Sequence, residues 1–153
     1  MKKLLLLIAL PVIALVSGCS KDQKVVRQLD GEWKITALSE DGKPADKEDY
    51  EGVTYKFEKC KVSKGDCNGS MKTNDPSKGE ITFPFTYNIS DKGTKIMIKY
   101  SFMGMAASTT NGDIIEHSKS KFVYSFEEEE EEEDENGKIT IHKHKITTTL
   151  EKQ

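Results

Sequence analysis

The sequence predicts an all-β domain: an antiparallel up-and-down meander of about eight strands that closes into a barrel, preceded by a short helical turn. Three observations predict it. From Gly31 onward apolar residues recur with period two, most clearly at Ile81, Phe83, Phe85, Tyr87 and Ile89 against Thr82, Pro84, Thr86 and Asn88, the spacing of a strand with one buried face. Turn-forming residues separate the runs, at Asp41-Gly42, Lys64-Gly65-Asp66, Asp91-Lys92-Gly93, Asn111-Gly112 and Asn136-Gly137. Asn-Gly supplies the positive φ angles that tight hairpins require. Aromatic residues also gather on one face of successive runs, and closure buries such a face while removing both sheet edges.

Taken in order, the chain opens with Lys2 and Lys3, an apolar run from Leu4 to Val16 interrupted by Pro11, and the small residues Ser17 and Gly18. Charged start, apolar middle and small-residue end make an export signal. The 13 positions of the run fall short of the roughly 20 apolar residues that a spanning helix needs, so residues 1–18 are expected to be removed. Val16, Ser17, Gly18 and Cys19 resemble the lipobox of bacterial lipoproteins. That resemblance implies a diacylglyceryl thioether on Cys19, cleavage before it and an acylated new N-terminus. Two or more acyl chains anchor a protein stably, so a membrane is the expected partner, held through Cys19 alone. Ser20 rather than Asp follows the cysteine, which resembles outer-membrane sorting in proteobacteria. The expected location is therefore the cell envelope, on the outer membrane.

Residues 19–28 then read as a lipidated tether, polar through residue 24, and a helical turn carrying Val25, Val26 and Leu29 at helix-like spacing. Residues 29–153 read as one barrel domain, since the 135 residues left after cleavage are an ordinary single-domain length. Loss of Lys2 and Lys3 leaves 21 basic against 26 acidic side chains, and nine of the acids are consecutive, from Glu127 to Glu135. Charge is segregated, not merely acidic. Export and this balance exclude a nucleic-acid binder, and a monomer is expected.

Within the barrel, Trp33, Ile35 and Ala37 alternate with Lys34 and Thr36; Val53, Tyr55 and Phe57 share a face; Ile96, Ile98, Tyr100 and Phe102 share another; and Phe122, Tyr124 and Phe126 a further one. Pro84 is expected at a bulge or an unpaired edge position, because proline cannot donate to a ladder. Ile139 and Ile141 have the opposite parity to Ile146, Thr148 and Leu150, which implies a bulge or a barrel rim near Lys143. With Cys19 lipidated, Cys60 and Cys67 remain as an even pair in an oxidising compartment, and a disulfide follows. A loop this short gains about 2 to 3 kcal/mol on the chain-entropy view. The bridge is expected outside the barrel core, constraining a hairpin end.

The segment Leu29-Asp30-Gly31-Glu32-Trp33-Lys34-Ile35 resembles the opening of lipocalin-like domains, in which a helical turn leads into a first strand bearing Gly-x-Trp. The pattern of strands over residues 29 to 150 extends that resemblance, which is closest to small lipocalin-like lipoproteins of the Bacteroidota. It implies that Trp33 packs across the barrel floor and that Gly31 lets the backbone approach it. The chain is shorter than typical secreted lipocalins and carries no second lipocalin motif such as a Thr-Asp-Tyr box.

The residues that could carry chemistry are few. His142 and His144 sit two apart and would face one side of a strand, but zinc normally takes at least three protein ligands, so no metal is expected. The run from Glu127 to Glu135 is expected to form a solvated, self-repelling hairpin tip. It lacks the interleaved acids and glycine of a calcium loop. Phe102, Met103, Gly104 and Met105 form an uncharged segment that reads either as a covered strand end or as a soft lip at the barrel mouth. No nucleophile elbow or phosphate-cradling glycine loop occurs, so neither an enzyme nor a cofactor is expected. The leading functional expectation is non-covalent binding of a small apolar or amphipathic molecule by inward residues drawn from Trp33, Tyr55, Phe57, Phe85, Tyr87, Tyr100, Phe122 and Tyr124, with Met103 and Met105 near the opening. The alternative is a barrel filled by those aromatics, acting as an envelope interaction or inhibitor module. Eight-stranded barrels support both.

Overall fold

The structure is a computed structural model that describes residues 20–101, 108–133 and 137–153. Cys19, Met103 and Met105 lie outside the described residues. A helix, α1 (Lys21–Leu29), is followed by strands β1 (Gly31–Glu40), β2 (Lys43–Pro44), β3 (Thr54–Phe57), β4 (Cys67–Asp75), β5 (Gly79–Ser90), β6 (Lys95–Tyr100), β7 (Ser108–His117), β8 (Lys121–Glu133) and β9 (Ile139–Lys152). Each strand from β3 to β8 pairs antiparallel with its successor, and β1 pairs with both β3 and β9. Eight strands thus close a barrel, and the two-residue β2 pairs only with the end of β1. The expected meander is the observed one.

α1 is longer than the expected turn and begins at Lys21, where a polar tether was expected. Ser20 is the reason: its hydroxyl accepts a hydrogen bond from the Gln23 N–H at 3.1 Å and satisfies a donor that the first turn would leave unpaired. Val25, Val26 and Leu29 form the buried face of the helix and plug one end of the barrel.

Four further expectations change. Asn111-Gly112 is not a turn but lies inside β7, where Gly112 pairs with Ile96 on one side and Phe126 on the other. A Cβ at Gly112 would come within 2.7 Å of the Ser125 carbonyl oxygen, so close backbone approach, not turn geometry, explains this glycine. The acidic run is strand through Glu133, paired residue for residue with β9 from Glu127↔Lys145 to Glu133↔Ile139. The Cys60–Cys67 disulfide is formed, with Cα atoms 5.6 Å apart, but Cys67 is only 1% exposed and joins the core. Its register partner is the buried Tyr87, which turns it inward. Ala37, expected beside Trp33, is exposed, because a bulge between Ile35 and Ala37 hands the inward position to Leu38.

Pro84 pairs with Ser70 without a register shift and sits where β6 ends, its carbonyl accepting from the Ser101 N–H at 3.3 Å. Its missing donor falls at the end of a ladder. The parity change near Lys143 is a rim and not a bulge. β1 stops at Glu40↔Ile146 and β7 stops pairing with β8 at Gly112↔Phe126, so Glu127–Glu133 and Ile139–Lys145 continue beyond the barrel as a two-stranded ribbon. Ile139 and Ile141 are 57% and 54% exposed there.

Candidate binding site

The closed end of the barrel is built by α1. The Trp33 indole N–H donates to the Leu29 carbonyl at 2.6 Å, Asp22 accepts from the Gly93 N–H at 2.6 Å, and Gln28 meets His117 at 2.7 Å. Gln23 bridges to the disulfide loop, donating to the Cys60 carbonyl at 2.8 Å and accepting from the Val62 N–H at 3.1 Å. Gly93 is required here, since a Cβ would press into Val25 at 2.8 Å and its φ is +83°. Trp33 is fully buried, with the Lys152 ammonium 5.5 Å from its ring centre, a cation–π distance.

Above this floor the lower barrel is solid. Phe57 packs edge-on against Tyr87 at 5.1 Å, Phe85 at 5.5 Å and Phe122 at 6.5 Å, favoured aromatic geometries. The Tyr87 hydroxyl points back to the base and donates to the Glu58 carbonyl at 3.0 Å. Trp33, Phe57, Tyr87 and Phe122 are therefore filling, each 1% exposed or less.

The next level differs in kind. The Tyr55 and Tyr100 hydroxyls lie 3.3 Å apart, and the Tyr124 hydroxyl interacts with those of Tyr55 and Thr148. Three phenols thus converge inside an otherwise apolar barrel. Burial pushes the phenol of each above its ordinary value, Tyr55 and Tyr124 strongly, so all three are neutral at physiological pH and can each donate as well as accept. Phe85 lies 5.9 Å from Tyr55 and 5.8 Å from Tyr100. Toward the mouth the inward side chains are only half-buried: Met71, Phe83, Phe126 and Ile146. Their register, with Met71 opposite Tyr55 and Phe83, and Phe126 opposite Ile146, makes them apolar walls above a hydroxyl floor. Burial falls along the barrel axis, from a packed base to half-buried side chains toward the mouth. β7 and β8 splay above Gly112 and Phe126, leaving a cleft of about 610 Å³ lined in part by Thr110, Asn111, Ser125, Phe126, Glu128 and Lys145.

The histidine pair divides. The ring centres of His142 and His144 are 6.4 Å apart, but His142 meets Glu132 at 3.2 Å while His144 Nδ1 meets Glu40 at 2.9 Å and Asp41 at 3.2 Å. Among the described residues, Glu40, Asp41 and His144 are the group whose donor atoms, all within 4.8 Å of one another, could hold a divalent ion. Asp41 is held by the Lys145 N–H at 2.8 Å, which with His144 draws its carboxyl below the usual range. Glu40 and Asp41 are exposed and His144 is half-buried at the rim.

Sequence reasoning placed Tyr55, Tyr100 and Tyr124 inward without seeing that their hydroxyls meet. It missed Thr148 and Met71 as neighbours of the site, and the alternation through Ile146, Thr148 and Leu150 was the signal available for Thr148. An eight-stranded antiparallel barrel with a helix closing one end and Gly-x-Trp entering the first strand is the architecture of a lipocalin-like domain. The family model described as the lipocalin-like domain matches residues 29–124, and the chain belongs to that family. Its fold is similar to the crystal structure of a lipocalin-like protein from Bacteroides uniformis, at 17% identity and a TM-score of 0.53, over 82% of this chain and 99% of that one. No curated protein matches the chain.

Proposed function

We propose that this chain is an envelope lipoprotein, anchored through lipid on Cys19, whose barrel binds a small amphipathic molecule non-covalently in its upper cup. The observation that carries the reading is the convergence of three neutral phenols beneath half-buried apolar walls. A polar head accepts or donates hydrogen bonds at Tyr55, Tyr100 and Tyr124, and an apolar tail lies along Met71, Phe83, Phe126 and Ile146. The lipocalin-like fold supports binding in preference to catalysis, as small barrels of this kind hold side chains or one small ligand. The packed base favours the second reading, a filled interaction module, for the lower half of the barrel.

Native mass spectrometry of the mature domain purified from its own host is expected to retain an adduct of small-molecule mass that organic solvent removes. A preparation carrying no adduct and accepting none would overturn ligand binding. Metabolic labelling with palmitate is expected to disappear in Cys19→Ser, and persistent label would overturn the anchor alone.

A further inference from the structure

The sides of α1 are assigned to different tasks. Val25, Val26 and Leu29 are buried, while Asp22, Gln23 and Gln28 tie the helix to Gly93, the disulfide loop and His117. What remains outward is Lys21, Lys24 and Arg27, all exposed and spaced every three residues along one stripe. Across from this stripe, the loop before β4 presents Lys59, Lys61 and Lys64, also exposed. Arg27 and these three lysines line one cleft of about 540 Å³ with Gln23, Ser63 and Asp66. The acid in that cleft is already engaged, as Asp66 accepts from Lys99 at 3.1 Å and from the Asn88 amide at 3.1 Å.

Lys47, Lys72, Lys95, Lys99, Lys121 and Lys143 each pair with a carboxylate. Among the described residues, none of Arg27, Lys59, Lys61 and Lys64 forms an ion pair. Among the same residues several other exposed lysines, such as Lys34, Lys43, Lys56, Lys78 and Lys119, also lack an ion pair, and what distinguishes the base is that four such cations line one cleft. Acids concentrate instead at the opposite pole, where Asp41, Asp46, Glu48, Asp49 and the acidic side of the ribbon lie around the mouth. The plugged end also carries Asp22, Asp30, Glu58 and Asp91, but the unbroken acidic run lies at the open end, and the molecule is polarised along the barrel axis in that sense.

We propose that the plugged end, through Lys21, Lys24, Arg27, Lys59, Lys61 and Lys64, docks on an anionic phospholipid surface and points the barrel mouth away from it. Chain length and charge complementarity identify the surface. Ser20 caps α1 directly, so Cys19 precedes the helix with no intervening tether, and one residue spans at most about 3.6 Å. A lipid on Cys19 holds the start of α1 at the membrane, and Arg27 lies about 10 Å along the helix from Ser20, comparable to the Debye length of about 10 Å at 0.1 M salt over which cations attract phosphate headgroups. The inference rests on the anchoring half of the proposed function for the position of the membrane, and not on any ligand in the cup.

The charge contact itself is measurable without acyl chains. Residues 20–153 contain every described helix and strand, and a cooperative unfolding transition of that piece verifies its fold before use. Co-sedimentation with phosphatidylcholine vesicles containing about one quarter phosphatidylglycerol is expected to bind this piece at low salt and release it at high salt, with phosphatidylcholine alone binding little. Each cation near such a surface contributes about a fivefold factor in partitioning. Replacing Arg27, Lys59, Lys61 and Lys64 with Gln is therefore expected to lower binding on the order of several hundredfold. Lys43, Lys78 and Lys145→Gln, near the mouth, is expected to leave it unchanged. Equal binding to both vesicle types, or a base variant that binds like the unaltered piece, overturns the proposal. Palmitate labelling of Cys19 reports separately on the anchor.

Discussion

One strand runs through two different environments. From Lys121 to Phe126, β8 has a neighbour on each edge and a face in the core, with Phe122 and Tyr124 at 1% and 3% exposure. From Glu127 to Glu132 it has one neighbour, β9, and its side chains are exposed. The first half is held by apolar burial, which contributes about 1.5 to 3 kcal/mol for each large side chain. The second is held by ladder hydrogen bonds and by opposite charges across the pair, such as Lys143 with Glu129 at 2.7 Å. Exposed pairs of this kind contribute at most about 1 kcal/mol each. Strand geometry therefore says little about stability here; the face behind the strand decides it.

Mutation can sharpen that comparison. Trp33→Ala, which empties the floor of the barrel, is expected to lower unfolding free energy by about 3 to 5 kcal/mol, read by chemical denaturation. The buried tyrosines give the barrel an alkaline limit that the ribbon lacks. Their folded-state pKa values lie above those of unfolded phenols, so the folded state keeps its protons longer as pH rises. That stabilising contribution is complete below about pH 10, the ordinary phenol value, and is lost as pH climbs through the folded values. Stability measured from pH 8 upward is expected to fall past about pH 10, and Tyr124→Phe is expected to make the fall shallower. A fall of unchanged steepness in Tyr124→Phe would mean that this phenol is not the source. Replacing residues 128–143 with an Asn-Gly turn is expected to have the smallest effect, a change below about 1 kcal/mol with cooperativity intact. Loss of the cooperative transition would show that the ribbon supports the barrel.

The barrel was legible because its best strands repeat one physical signal. β5 alternates cleanly, and the observed burial of Phe85, Tyr87 and Ile89 follows that alternation. β4 gave no such signal, since its inward positions include Gly69, whose place is set by Phe85: a Cβ there would collide with that ring. Asn111-Gly112 carries the chemistry of a turn, and only the approach of β8 reveals why it is strand. The acidic run looked self-repelling because its compensation, Lys143 and Lys145, sits on the neighbouring strand and acts only once register is fixed. The hydroxyl floor was hidden for the same reason. Tyr55, Tyr100 and Tyr124 come from β3, β6 and β8, and no spacing within one strand encodes their meeting.

That meeting is the central claim, and titration of the folded domain with a fluorescent fatty-acid analogue tests it most directly. Saturable uptake is expected, weakened a few-fold to tenfold in Tyr100→Phe, the effect of losing one hydrogen bond of about 0.5 to 1.5 kcal/mol. Uptake is expected to be unchanged when the ribbon is replaced. A folded domain that takes up no probe would contradict the account and leave the barrel a filled interaction module, and a Tyr100→Phe variant that binds as tightly as the unaltered protein would contradict the part given to the hydroxyls.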